Sequence, residues 1–541
     1  GNRAQNGKLG KITYVLDGGT LPADALTEYS SDDFGYAPPT PTKKDYKFIG
    51  WEPAQIPVDS TGNVIFTAKW DANTAELLIG QEINTKMKKL AGNSSANKYT
   101  SDTAITAIQR SDEAPSDAVM ADANSLISTD DSLKPTYAWF ENGVIKWWSD
   151  AEYVNAGSDL GYLCYSMKNL TDISGLTTWD VSNVTKMSSM FRDCSQLADL
   201  SPLANWQISN VTDMDSMFDG CKQLANLTPL ADWQTGKVTD MSGMFANCSQ
   251  LTDLAPLANW QTGKVYNMGS MFNNCSQLTD LTPLANWQTG SVIYMAQMFW
   301  GCSQLADLTG LANWDTHNVT KMSVMFSECS QITDLAGLAT WQTGNVTDMG
   351  SMFKGCSQLT DLTPLANWQT GHVIYMSSMF RECSQLTDLA PLANWNTSKV
   401  TNMSSMFYGC SQISDLAPLA NWKTDKVTNM DSIFYICSQI SDLTPLANWQ
   451  TGSVTDMSYM FSKCSQLTDL TGLANWNTGK VTSMKSMFYR CSQLTDASVI
   501  NDWNIANVTN FGYMFNSCPS HPTFTKRAGT WDSDGTFTPT T

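Results

Sequence analysis

A repeat solenoid, one short coil stacked on the next, is the fold class this sequence predicts, and three regularities carry it. From Trp179 to Trp503 a tryptophan recurs every 27 residues, thirteen times without a slip. Fifteen residues after each stands a cysteine, from Cys194 to Cys518. Apolar residues hold fixed places around them, in the first copy Val184, Met187, Met190 and Phe191, then Leu197, Leu200 and Leu203. A coil this short cannot bury its apolar side alone and must stack on its neighbours, and the period lies in the leucine-rich-repeat range. Coils pairing like strands at about 4.8 Å would make a rod or arc on the order of 65 Å long from fourteen of them.

Each residue class then forms a row along the axis. Of 27 Met in the chain, 24 sit at two repeat positions, and 13 of 20 Trp sit at one. Such rows read as core filling, because Met adapts to irregular gaps and favours aromatic neighbours. Thirteen of the 14 Cys share one position, so stacking would point their side chains in parallel. Parallel Cβ directions disfavour disulfides. The thiols are expected to be free, buried and apolar in behaviour, and their spacing offers no zinc site.

The 541 residues carry 32 Lys and Arg against 51 Asp and Glu, a net charge of -19, which argues against nucleic acid or anionic lipid as partner. Charged residues make up 15%, below the roughly 25% usual for soluble domains, so Ser, Thr, Asn and Gln must supply most of the wet surface. No stretch approaches the roughly 20 apolar residues of a membrane-inserted span. Gly1 to Gly10 lacks the apolar centre of a signal peptide, as a mature or excised fragment would.

Residues 1-71 read as a small first domain. Lys11 to Leu16 and Val64 to Trp70 are strand-like, Asp17-Gly18-Gly19 marks a tight turn, and Pro38-Pro39-Thr40-Pro41 prescribes an extended stretch. The segments ITYVLDGGTL, PTPTKKDYKFIGW and VIFTAKW, with Gly50-Trp51 and Ala68-Lys69-Trp70 as landmarks, make this domain similar to the Listeria-Bacteroides or internalin B-type repeat. That resemblance implies a β-grasp-like fold and a spacer role.

Residues 72-156 read as a linker and N-terminal cap. Leu77, Leu78, Ile83, Met87 and Leu90 suggest a helix from Thr74 to Leu90, and Tyr137 to Trp148 a hairpin turning at Glu141-Asn142-Gly143. The aromatic side of that hairpin should close the open end of the stack. A degenerate coil follows from Gly157, with Leu160, Leu163, Cys164 and Met167 where Met, Met, Phe and Cys would stand. After Cys518, Phe524 to Phe537 reads as a closing hairpin turned at Asp532-Ser533-Asp534-Gly535.

The motif Trp-x-Thr-x2-Val-Thr-x-Met-x2-Met-Phe-x2-Cys-x2-Leu resembles the repeat of the BspA family of leucine-rich-repeat surface proteins. The chain departs from it in Leu-Thr-Pro-Leu-Ala-Asn-Trp, which is similar to the convex-side turn of internalin repeats and lengthens each coil. Thr there reads as an N-cap with Pro at the first helical position, giving one short helical turn per coil, and Val-Thr-x-Met as the strand. The expected architecture is a leucine-rich-repeat-like right-handed stack of about 14 coils over 157-518, behind the β-grasp-like domain and the cap, with a C-terminal capping hairpin and tail at 519-541.

Catalytic chemistry is not expected. Asp199, Asp253, Asp280, Asp307, Asp334, Asp361, Asp388, Asp415, Asp442, Asp469 and Asp496 form a row in which Asn226 stands once. A row of equivalents offers no unique acid–base pair. Ca²⁺ could lie along it, but Asn serving as well as Asp favours hydrogen bonds to turn amides. His317 and His372 occupy unrelated repeat positions, and no phosphate loop, zinc-helix motif or nucleophile elbow occurs. No cofactor and no metal are expected.

Recognition should lie where the repeats vary, chiefly the two positions after the Phe and the two after the Val. Tyr294, Trp300, Tyr375, Arg381, Tyr408, Tyr435 and Tyr489 are the candidate ligand-binding residues, since Tyr, Trp and Arg dominate binding hot spots. Arg381, Tyr408 and Tyr435 fall on three consecutive rungs, whereas Trp300 stands between Asn273 and Ser327. The BspA resemblance implies a non-enzymatic bacterial cell-surface or secreted recognition and adhesion protein, binding a protein or glycan ligand on host, matrix or other microbes. The alternative is a structural subunit of an extracellular fibre or phage appendage that self-associates.

Overall fold

The structure, a computed structural model, describes residues 7–540; residues 1–6, where part of the Gly1 to Gly10 reading falls, lie outside that range. Strands β1 (Gly10–Val15), β2 (Glu28–Tyr29), β3 (Tyr46–Glu52) and β4 (Val64–Ala72) form one sheet in the order β2-β1-β4-β3, with β1 and β4 parallel. Alternation along β4 puts Val64, Phe66 and Ala68 inside and Ile65 and Lys69 outside. Phe66 lies among Tyr14, Tyr36 and Trp51, and this core is separate from that of the array. β3 went unread in the sequence because Lys43 to Asp45 looks like turn and a bulge between Phe48 and Gly50 breaks its alternation.

The expected helix from Thr74 is corrected. Thr74–Glu76 is a strand, β5, and helix α1 spans Gly80–Leu90. Three residues of β5 pair in parallel with β9 (Tyr153–Asn155), which pairs with β10 (Trp179–Asp180), and that backbone pairing outweighs the helical spacing of Leu77 and Leu78. Between them lie β6 (Ala107–Arg110), α2 (Asp117–Ala121) and the hairpin β7 (Thr136–Glu141) and β8 (Val144–Ser149). Asn142 and Gly143 both have positive φ, as a two-residue hairpin turn requires. Trp147 of β8 is fully buried with its ring 6.0 Å from that of Trp179, so the hairpin starts the tryptophan row.

Within the array the inside residues are those the period selects. Trp, Val, Met, Phe, Cys and Leu of each repeat are buried, apart from a half-buried Cys518, and belong to one continuous core. Each Trp Nε1 from Trp206 onward donates to a carbonyl 30 residues back, as Trp206 does to Leu176 at 3.0 Å. The thiols are free, and each repeat's Sγ donates to a carbonyl 30 residues back, Cys356 to Phe326 at 3.3 Å. Burial pushes the fully buried thiols well up from their ordinary range, whereas a hydrogen bond with Cys491 holds Cys518 below it.

The strand expected at Val-Thr-x-Met is corrected. Only the x residue makes a β-bridge, in an unbroken series from Asp159–Lys186 to Ser483–Asn510. Beyond it the coil is a run of turns, with Arg192 N bonded to Ser189 O, Cys194 N to Phe191 O and Leu197 N to Cys194 O. Two residues per repeat hold a left-handed backbone, the one before the second Met (Ser189, φ 54°) and the one before the Cys (Asp193, φ 59°). Each reverses the chain before a strand can extend. The N-cap is corrected as well: in Thr282–Leu284, Leu281 precedes the 3₁₀ turn, Thr282 opens it and Pro283 is second. Asp280 makes the capping bond, accepting from Thr282 N at 2.9 Å and from its hydroxyl at 2.7 Å. The whole Asp row, Asn226 included, accepts from turn amides in this way.

Coil joins coil through alternate amides. Met187, Ser189, Phe191 and Asp193 donate to Asp213, Asp215, Met217 and Asp219 of the next repeat. From these amides acceptors are left over at the start of the stack and donors at its end, while the residue after the Val donates the other way, as Thr212 N does to Thr185 O at 2.8 Å. At the start, Gly80 N donates to Asp159 O and Asn84 Nδ2 to Leu163 O and Tyr165 O. Gly80 must lack a side chain, since a Cβ would lie 2.5 Å from Gly161 O. At the end, the turn between β11 (Gly529–Trp531) and β12 (Phe537–Pro539) supplies Gly535 O to Phe515 N and Thr536 Oγ1 to Tyr513 N. Successive Phe rings are mostly 5.6–6.0 Å apart and the stacked Trp rings 6.4–6.5 Å, against about 4.8 Å for bridged backbone. The ring rows thus stand wider apart than strand-paired backbone does.

Candidate functional site

The variable positions lie together on the bridge side. Four residues per repeat define this face: the bridging residue, the two left-handed residues and the residue after the Phe. Tyr375 and Tyr294 bridge and are 44% and 41% exposed. Trp300, Arg381, Tyr408, Tyr435 and Tyr489 follow a Phe and are half-buried. Tyr294 pairs with Tyr266 of the preceding repeat, ring centroids 6.5 Å apart and nearly perpendicular, and makes no ring pair with Trp300.

Arg381, Tyr408 and Tyr435 form one column. The Arg381 guanidinium lies 4.1 Å from the Tyr408 centroid, and the Tyr408 and Tyr435 rings stack at 4.5 Å and 14°. The sequence placed these three on adjacent rungs; it missed what continues them. Tyr459, the left-handed residue of the next repeat, tilts against Tyr435 at 6.0 Å, and Lys463 Nζ lies 5.8 Å from the Tyr435 centroid. Lys485 lies 5.9 Å from Tyr459, and Arg490 5.1 Å from Tyr489. A left-handed turn swings Tyr459 toward the column, and spacing alone carries no sign of that.

The left-handed site before the Cys divides the face, with repeats counted from Trp179. Repeats 1 to 5 fill it with Asp193, Gly220, Asn247, Asn274 and Gly301, residue types that tolerate positive φ. Repeats 6, 8 and 10 to 12 fill it with Glu328, Glu382, Ile436, Lys463 and Arg490, which do not, so that the strained residues run consecutively only in repeats 10 to 12. A left-handed backbone costs such residues about 1–2 kcal/mol each. At the other end of the face, burial first and the neighbouring Asp215 second push the Asp213 carboxyl up to about 7. Asp431, beside the column, is raised by burial and by Asp456.

A cleft of about 740 Å³ in the cap lies between α1 and the segment at Lys98 and Tyr99. Two of its three lysines are structural: Lys86 Nζ donates to Ala123 O and Leu126 O, and Lys98 Nζ to Gln81 Oε1. Among the described residues no group of His, Cys, Asp and Glu is arranged to hold a metal ion, and no helix is long and apolar enough to cross a membrane.

The family described as "Mycoplasma protein of unknown function, DUF285" matches five overlapping stretches, 159–281, 221–336, 305–417, 333–444 and 413–531. The chain is also similar to the crystal structure of a leucine rich cell surface protein from Faecalibacterium prausnitzii A2-165, at 17% identity, covering 54% of this chain and 78% of that one with a TM-score of 0.27. No curated protein matches the chain.

Proposed function

For a chain that belongs to the DUF285 family of BspA-like repeats, we propose a non-enzymatic recognition role at a bacterial surface or in the surrounding medium, with the bridge-side face of repeats 8 to 12 as the binding surface. One observation carries this reading: Ile436, Lys463 and Arg490, on three consecutive repeats, occupy left-handed sites that Gly, Asn or Asp fill in repeats 1 to 5, 7 and 9. Strain held on three consecutive repeats beside the tyrosine column supports selection on what that face presents. The finer architecture that goes with this is a right-handed stack of about fourteen coils behind a β-grasp-like spacer, supported by the bridge series and by the parallel pairing of β1 with β4.

The structural-subunit alternative has less support. End-to-end growth needs open backbone at both ends of the stack, and here the cap bonds Asp159 O, Leu163 O and Tyr165 O and the last hairpin bonds the amides of Tyr513 and Phe515. The test is a glycan array together with a pull-down from host and microbial extracts, run with the full chain and with the Tyr408→Ala/Tyr435→Ala double variant. Truncating buried hot-spot aromatics costs roughly 2 kcal/mol or more of affinity. A variant with unchanged circular dichroism that retains every captured ligand sinks the reading. Light scattering that grows with concentration would turn it toward the fibre.

A further inference from the structure

The tyrosine column has no ring face left to offer. Tyr408 carries Arg381 on one side and Tyr435 on the other, at 4.1 and 4.5 Å. Tyr435 is closed on its far side by Tyr459 and Lys463. Sugar recognition by aromatic residues works by laying the apolar face of a pyranose on an open ring. On Tyr408 and Tyr435 only ring edges and phenol hydroxyls remain, and the hydroxyls of Tyr408, Tyr435, Tyr459 and Tyr489 make no hydrogen bond within the described residues. Beside them lie four cations, Arg381, Lys463, Lys485 and Arg490, each placed against a tyrosine. Lys463, Lys485 and Arg490 have no carboxylate within ion-pair distance among the described residues, whereas Arg381 approaches Glu382 at 3.8 Å and its charge also acts on Asp431. In a chain of net charge -19 this is a cationic, hydroxyl-bearing edge.

We infer that the column binds the acidic side chains of a polypeptide partner, taking its carboxylates on tyrosine hydroxyls and fixed cations, and does not bind sugar rings. The inference rests on the recognition reading above and narrows its ligand. A cation over a ring keeps its charge and is held in place without being neutralised, so it is ready for a carboxylate. Glu382, Asp431 and Asp456 are interspersed on the same face and repel a polyanionic glycan charged at every residue. A polypeptide of mixed charge can place its acids at the cations and its amides at those carboxylates. Tyrosine edges and hydroxyls suit such a partner, since they give large contact area at low entropy cost.

A random peptide display library, selected on the full chain and on Tyr408→Ala/Tyr435→Ala, tests this, with a glycan array run on both proteins. The expected result is enrichment of Asp- and Glu-bearing peptides whose binding weakens about tenfold or more in the double variant. Binding should also weaken in Lys463→Ala/Arg490→Ala, which keeps every ring, and with added salt. Peptides without acidic residues, or peptides indifferent to both variants, overturn the inference. Glycans that bind the parent and not the double variant also overturn it while leaving the recognition role standing. Capture of neither peptides nor glycans removes both.

Discussion

Repeats 3 and 4 and repeats 10 and 11 share one backbone and nearly one interior, yet differ in what their left-handed sites carry. Asn247 and Asn274 sit where their type is at ease, whereas Ile436 and Lys463 do not. The Phe rows are alike, with rings 5.8 Å apart both at Phe245–Phe272 and at Phe434–Phe461. Equal packing with unequal strain separates what the fold requires from what it merely permits. The interior is required, and the choice of residue at the turn is free to serve a partner.

Equal interiors imply equal losses. Phe245→Ala and Phe434→Ala should each destabilise by about 3–5 kcal/mol in urea unfolding, and a difference between them of more than about 1 kcal/mol would show that the two ends are not packed alike. Exchanging the turn residues gives the next largest effect, with opposite signs. Ile436→Asn should stabilise by about 1–2 kcal/mol and Asn274→Ile destabilise by a similar amount; the same sign for both would remove the strain assigned to the column.

The acidic end differs again, through pH. Asp213 in the folded chain has its pKa raised from 3.8 to about 7, mainly by burial. The folded state therefore holds a proton that the unfolded state releases, so the associated stability is complete below about pH 4 and lost as pH rises through 7. Melting temperatures across this range should fall less for Asp213→Asn than for the parent, and identical profiles would refute the shift. The smallest effect belongs to the Asp row. Asn226 accepts from Thr228 N as Asp361 does from Thr363 N, so Asp361→Asn should change stability by under about 0.5 kcal/mol, whereas Asp361→Ala should lose about 1 kcal/mol.

The interior was legible because burial imposes one residue type per rung, and the period of 27 exposes that type directly. Arg381, Tyr408 and Tyr435 were legible as neighbours for the same reason. The left-handed turns were not, because Ser189, Ser216 and Ser270 hold a conformation that serine does not announce. Without those turns Val-Thr-x-Met reads as a strand and Tyr459 as an unrelated side chain. Thr-Pro-Leu announced a helical turn correctly, since Pro suits either of its first two places, but the cap came from the Asp two residues ahead of it. β5 escaped because three residues are too few to show a period against the helix beside them.

The repeating ladder also bears on how such genes change length. Every repeat shows the same set of donors and acceptors to the repeat before it and the same set to the repeat after it, so removing or adding one whole unit leaves both junctions chemically identical. Neither cap senses how many units lie between them. Unequal recombination between near-identical copies therefore yields chains that still close at both ends. The reach of the molecule can shift by one rung per event, while the tyrosine column moves intact nearer to or farther from the first domain.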